Sequence, residues 1–275
     1  MLFGCTRTLS ESQILHGHHQ ARQELRDDIV RHNVELASAS GALLRGWYLD
    51  NPKAVRVVLF FADNGKTLLE NAESLWRWGD ALQADVVSLD YRGYGFSAGT
   101  PSLAAMLEDA PQISAFVRVL AAQRGLPIAV VGQSLGTFPA GRAAASGWVD
   151  DLILIAPASS VDELVHAVGH SFPWYRHAVT GRSLEQLGID PVADLASARA
   201  ATLLVRGTRD SLFPLAGTKR LLKASSARQK SICEAEGNYA EMAATNPSVL
   251  RCAVDFLAQA KPSARAETPH TTRGR

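Results

Sequence analysis

The chain has 275 residues and a formal net charge of +1, with 28 Lys and Arg against 27 Asp and Glu. That length gives a single α/β domain ample chain to bury a core. The two signs of charge are interspersed, which argues against a nucleic-acid partner, and no stretch approaches the roughly 18 apolar residues a membrane span requires. Three cysteines form no framework; Cys233 and Cys252 fall on apolar faces of a strand and a helix and read as buried free thiols.

Leu2-Phe3-Gly4-Cys5 looks like the end of a bacterial lipoprotein signal, yet no apolar segment precedes it. As written, the chain reads as cytoplasmic. With a start codon further upstream, Cys5 would instead be the lipidated N-terminus of an envelope protein. Residues 6–29 then form a polar helical arm in which His16, His18 and His19 crowd together without a carboxylate or cysteine set at metal-ligand spacing.

The domain proper is expected over residues 30–260. Val34 to Leu49 carries two short strand-like runs around Ser40-Gly41, a hairpin signature. Val55 to Phe61 is a continuous apolar strand of the kind buried on both faces. A helical pattern follows from Thr67 to Leu82, then a strand over Asp85–Leu89, a helix over Leu103–Ala122 and a strand over Pro127–Val131. Further strands are predicted over Leu152–Ala156, Thr202–Arg206 and Ser231–Ala235, separated by helices. Such alternation requires an α/β fold: a mainly parallel, twisted sheet covered on both faces. Residues 160–199 show no clear strand and carry Trp174, Tyr175 and three histidines, which reads as a small helical cap; the Pro/Thr/Arg-rich stretch 261–275 reads as a disordered tail.

The most informative feature is Gly132-Gln133-Ser134-Leu135-Gly136, placed directly after an apolar strand and directly before Ala/Gly-rich helical sequence. The glycines permit a turn sharp enough to lift the Ser134 hydroxyl off the sheet at a helix N-terminus. There the Leu135 N–H could stabilise developing negative charge. Two more segments stand in order around it: the loop Asp90-Tyr91-Arg92-Gly93-Tyr94-Gly95-Phe96-Ser97-Ala98-Gly99-Thr100-Pro101, and Gly207-Thr208-Arg209-Asp210-Ser211-Leu212-Phe213-Pro214.

Together these residues resemble the alpha/beta-hydrolase fold, and within it the depalmitoylase-like and serine-aminopeptidase-like serine hydrolases of bacteria and eukaryotes. The resemblance covers roughly residues 33–258. It implies Ser134 as nucleophile, Asp210 as orienting acid, and an oxyanion hole from the backbone N–H groups of Leu135 and Asn64. It also implies a small-molecule acyl substrate, an ester or a thioester. No cofactor is implied, since this chemistry needs none and no metal-ligand cluster is present.

Two departures matter. The family's His-Gly after the third strand is replaced by Ala62-Asp63, so Asp63 would oppose an oxyanion if its side chain turned inward. In this fold the histidine follows the last strand, and Asn238 falls at that position within Glu236-Gly237-Asn238-Tyr239. Asparagine cannot take a proton at neutral pH. Beyond Asp210 the only histidine is His270; His166, His170 and His177 in the cap, or Glu236, are the alternative bases. Two readings therefore stand: a carboxylesterase or thioesterase with a non-standard base, and a degenerate hydrolase that binds a ligand or protein through the same cleft.

Overall fold

The computed structural model describes residues 30–164, 167 and 188–259. The expected N-terminal arm, the C-terminal tail, Cys5, and the cap residues His166, His170, Trp174, Tyr175 and His177 lie outside the described residues.

Eight strands form one sheet: β1 (Val30–Ala37), β2 (Leu43–Asp50), β3 (Arg56–Phe61), β4 (Ala84–Leu89), β5 (Ile128–Gln133), β6 (Asp151–Ile155), β7 (Ala201–Gly207) and β8 (Lys230–Ala235). Their spatial order is β1-β2-β4-β3-β5-β6-β7-β8. The hairpin β1–β2 and the β2–β4 pair are antiparallel, and every pair from β4 through β8 is parallel. The central strands β4, β5 and β6 are buried at every position, as a sheet covered on both faces demands.

The helices α1 (Leu68–Leu82), α2 (Leu103–Arg124), α3 (Thr137–Ala145), α4 (Pro191–Ser197), α5 (Leu215–Ala224) and α6 (Pro247–Gln259) supply the cover. α1 packs with α6, while α2, α3, α4 and α5 pack in succession. Thr67 and Glu70 cap α1 reciprocally, and Asp90 at the end of β4 accepts the Leu68 N–H at 2.7 Å and the Phe96 N–H at 2.9 Å. One carboxylate thus closes a helix start and the glycine-rich loop at once. The loop is held from its other side by Arg92, whose guanidinium grips Asp109 of α2 through Nε (2.7 Å) and Nη2 (2.8 Å).

The cysteine expectation is overturned. Cys233 of β8 and Cys252 of α6 are joined in a disulfide with their Cα atoms 6.0 Å apart. The apolar positions were read correctly, but strand and helix pack face to face and bring the two sulfurs together, which residue spacing alone does not disclose.

Candidate active site

β5 delivers Ser134 to the carboxyl edge of the sheet, where the chain turns through one 3-10 turn (Ser134–Gly136) into α3. Ser134 sits at φ +50°, a conformation costly for any residue with a Cβ. It is held there by neighbours. A Cβ on Gly132 would lie 2.5 Å from the Gly136 carbonyl oxygen, and one on Gly136 would run into the Phe61 carbonyl oxygen. Gly136 lets the elbow press against the end of β3, and Gly132 lets the turn close on itself. Thr137 Oγ1 donates to the Ser134 carbonyl at 2.6 Å and tightens the turn.

The segment after β3 faces this elbow. Tyr91 donates its hydroxyl to the Ala62 carbonyl at 2.8 Å, and Tyr94 donates to Asn64 Oδ1 at 3.0 Å. The two rings meet edge to face with centroids 5.6 Å apart. With Ala62 and Asn64 fixed on either side, Asp63 is turned inward. Its Oδ1 accepts the Asn64 N–H at 2.6 Å. Burial raises the Asp63 pKa above the usual carboxylate value, and the polar groups of Ser134, Asn64 and Leu135 partly oppose that. The Asn64 N–H, one of the two groups expected to form an oxyanion hole, thus faces a side chain of the chain itself.

Asp210 lies in the loop after β7 and is buried at 7% exposure. Its Oδ1 accepts the N–H groups of Leu212 (2.9 Å) and Phe213 (3.0 Å), an Asx-type turn leading toward α5. Its Oδ2 is buried and has no hydrogen-bond partner among the described residues. In the arrangement the resemblance implies, an imidazole N–H would fill that vacant lone pair.

No imidazole stands there among the described residues. Asn238 is exposed and does not point at Ser134; its side chain accepts the Glu241 N–H at 3.2 Å, while Glu241 accepts the Asn238 N–H at 2.6 Å. This reciprocal cap starts a 3-10 turn, Tyr239–Glu241, which swings the next residue inward. Tyr239 is that residue: its hydroxyl lies 2.6 Å from Ser134 Oγ, and its ring packs edge to face on Phe213 with centroids 5.3 Å apart. Burial, and then the negative charge of Asp63, push the phenol pKa well above its ordinary value. Tyr239 therefore keeps its proton at neutral pH, and either hydroxyl of the pair can donate to the other.

The loop bearing Tyr239 is fixed at both flanks. Arg209 donates its backbone N–H to the Gly237 carbonyl at 2.9 Å. Further on, Gln133 Oε1 accepts the Ala244 N–H at 3.2 Å, and Trp78 Nε1 donates to the Ala244 carbonyl at 3.0 Å. The sequence held one signal for this: Asn238-Tyr239-Ala240-Glu241 has the N-cap spacing that points Asn238 at the backbone instead of at chemistry. Among the described residues no three His, Cys, Asp or Glu side chains could hold a metal ion, and no helix is long and apolar enough to cross a membrane.

Residues 70–189 match the family model described as serine aminopeptidase, S33. An alpha/beta hydrolase domain-containing protein of Arabidopsis thaliana, WAV2, is 24% identical over 218 residues, covering 73% of this chain and 68% of that protein. The alpha/beta hydrolase domain-containing protein aho-3 of Caenorhabditis elegans is 33% identical over 112 residues, 40% of this chain and 33% of that protein. Among solved structures, the Pyrococcus furiosus esterase Pf2001 superposes with a TM-score of 0.72 at 16% identity, covering 89% of this chain and 97% of that one. A cold-adapted esterase from an Arctic intertidal metagenomic library does so at 0.60 and 16% identity, covering 88% and 98%. At such identities the structural likeness is one of fold.

Proposed function

This chain is a member of the alpha/beta-hydrolase superfamily, and from that premise we propose that it is a catalytically degenerate hydrolase, a binding module built on a serine site that no longer turns over. The observation that carries this reading is the 2.6 Å contact between Ser134 Oγ and the Tyr239 hydroxyl. Attack by Ser134 on an ester or thioester requires a neighbour that accepts its proton, with Asp210 orienting that neighbour. A part-buried phenol whose pKa is raised keeps its own proton and offers no base for the one Ser134 must lose. In a serine protease, losing the base removes about a millionfold of rate.

One observation favours a second reading. The Asp63 carboxylate also faces the Ser134 hydroxyl, and burial makes it a stronger base than an ordinary aspartate. Through Asp63 the chain would be a slow esterase or thioesterase acting on small acyl substrates by way of Ser134. Against that reading, the same carboxylate takes up the Asn64 N–H, one of the two expected oxyanion donors.

A fluorophosphonate probe separates the two. The wild-type chain is expected to remain unlabelled, matching Ser134→Ala, and to hydrolyse p-nitrophenyl acetate no faster than that variant. Labelling that disappears in Ser134→Ala would establish a live nucleophile and the hydrolase reading with it.

A further inference from the structure

We infer that the Tyr239 side chain fills the slot of a nitrogen base between Asp210 and Ser134, and that emptying this slot opens a site for a free azole, imidazole itself, which returns a base to the serine. This rests on the reading of the cleft as one that lacks a base. It adds what closes the cleft and what the cleft would take.

One acceptor and one donor frame the slot. Asp210 is 7% exposed, and its Oδ2 is buried without a hydrogen-bond partner among the described residues. A buried acceptor left bare is costly, so this oxygen favours any N–H brought to it. Opposite stands the Ser134 hydroxyl, 2.6 Å from that of Tyr239. The phenol reaches it from Phe213, on which its ring packs with centroids 5.3 Å apart, and Phe213 in turn donates its N–H to Asp210 Oδ1 at 3.0 Å. The backbone holds the same segments together. Arg209 N–H donates to the Gly237 carbonyl at 2.9 Å, and a Cβ on Gly207 would lie 2.5 Å from that oxygen. Tyr239 thus enters from a loop seated directly on the one that bears Asp210.

A phenol and an imidazole offer this frame different things. Tyr239 presents a single hydroxyl, directs it at Ser134 and leaves Asp210 Oδ2 unpartnered. A neutral imidazole carries one N–H donor and one nitrogen acceptor on a flat ring. Donating to Asp210 Oδ2 and accepting from Ser134 Oγ, it satisfies both at once. An untethered ring smaller than the phenol it replaces is free to settle where both contacts form. Asn238 supplies no substitute, since its exposed side chain is committed to the Glu241 N–H.

Tyr239→Ala in the full chain, incubated with a fluorophosphonate in the presence and absence of imidazole, tests the inference, with modification of the Ser134 peptide read by mass spectrometry. In the labelling step Ser134 Oγ bonds to phosphorus, fluoride leaves, and the serine proton passes to the azole nitrogen. Saturating imidazole is expected to raise the labelling rate of Tyr239→Ala at least about a hundredfold, the lower end for a positioned base. N-methylimidazole has no N–H for Asp210 and should rescue at least about tenfold less well, as a base without its orienting carboxylate does. The wild type and Tyr239→Phe, in which a ring still fills the slot, should gain nothing from imidazole. A folded Tyr239→Ala that imidazole does not rescue, or that N-methylimidazole rescues equally, would overturn the proposal. Should Tyr239→Ala fold poorly, Tyr239→Phe keeps the ring contact with Phe213 and still decides: an imidazole-dependent gain there would show that the ring does not fill the slot. Labelling of the wild type without any azole, by contrast, would remove the degenerate reading, and the comparison of the two azoles on Tyr239→Ala would still test the slot.

Discussion

Cys233 on β8 and Cys252 on α6 are covalently joined, and the loop that carries Tyr239 lies between them. The bond closes a loop across a separation of 19 residues and ties the last strand to the last helix. Loop-closure entropy for a ring of that size is worth about 3 kcal/mol, with strain and residual unfolded structure able to reduce it. Replacing both cysteines by alanine is accordingly expected to cost about 2–4 kcal/mol in urea unfolding. Thiol titration of the denatured, unreduced chain should find Cys5 alone reactive. Three reactive thiols would show that the bond does not form.

The elbow holds Ser134 at φ +50°, and that cost can be isolated. Ser134→Ala and Ser134→Gly both lose the hydroxyl and its contact with Tyr239, but only glycine is relieved at positive φ. Ser134→Gly should therefore be the more stable of the two by roughly 1 kcal/mol. Equal unfolding midpoints would mean that the turn is unstrained.

Arg92 and Asp109 form a nearly buried ion pair, their side chains 10% and 4% exposed. Asp109→Ala leaves the guanidinium facing α2 with the exposed Glu108 as its one remaining charged partner among the described residues. A loss of about 3–5 kcal/mol is expected, the range for breaking a buried pair from one side. Because Arg92 anchors the loop that carries Tyr91 and Tyr94, the same variant should also broaden the amide resonances of Ala62 and Asn64. A loss below about 1 kcal/mol would place the pair with ordinary surface ion pairs.

Stability should rise as the pH falls through mildly acidic values. Burial lifts Asp90 and Asp151 from 3.8 to about 6 each. A carboxylate whose folded pKa lies above its unfolded value contributes stability that is complete below the unfolded value and is lost as pH climbs through the folded one. The window is therefore pH 3.8 to about 6. Each group contributes a slope of at most about 1.4 kcal/mol per pH unit. Urea midpoints measured across this window should fall with increasing pH, and Asp151→Asn should flatten the trend. A midpoint that climbs with pH over the same range would contradict the assignment.

The strands and helices were legible because period and length follow from burial. Val57 to Phe61 is a doubly covered strand, though the predicted start at Val55 is exposed and lies outside β3, and the elbow pentapeptide sits where a strand gives way to a helix. Ser134 and Leu135 follow β5 at the sheet edge, Asn64 follows β3, and Asp210 lies in the loop after β7. The danger in Asp63 was visible too, since a carboxylate in place of glycine must go somewhere. Where it goes is another matter. Its inward turn depends on Tyr91 and Tyr94, some thirty residues away, gripping the residues on each side.

At the histidine position the sequence and the fold part company. Alignment by order marks Asn238, but the cap it forms with Glu241 is a local bargain that rotates the backbone by one residue and sends Tyr239 inward. Composition and periodicity fix which segments become buried strands, because burial of apolar surface is a sum over residues. They cannot fix which of two adjacent polar side chains faces a given hydroxyl, or which two cysteines meet, because those outcomes turn on the packing of segments far apart in the chain. That packing, not the order of residues, puts a phenol and a carboxylate around Ser134.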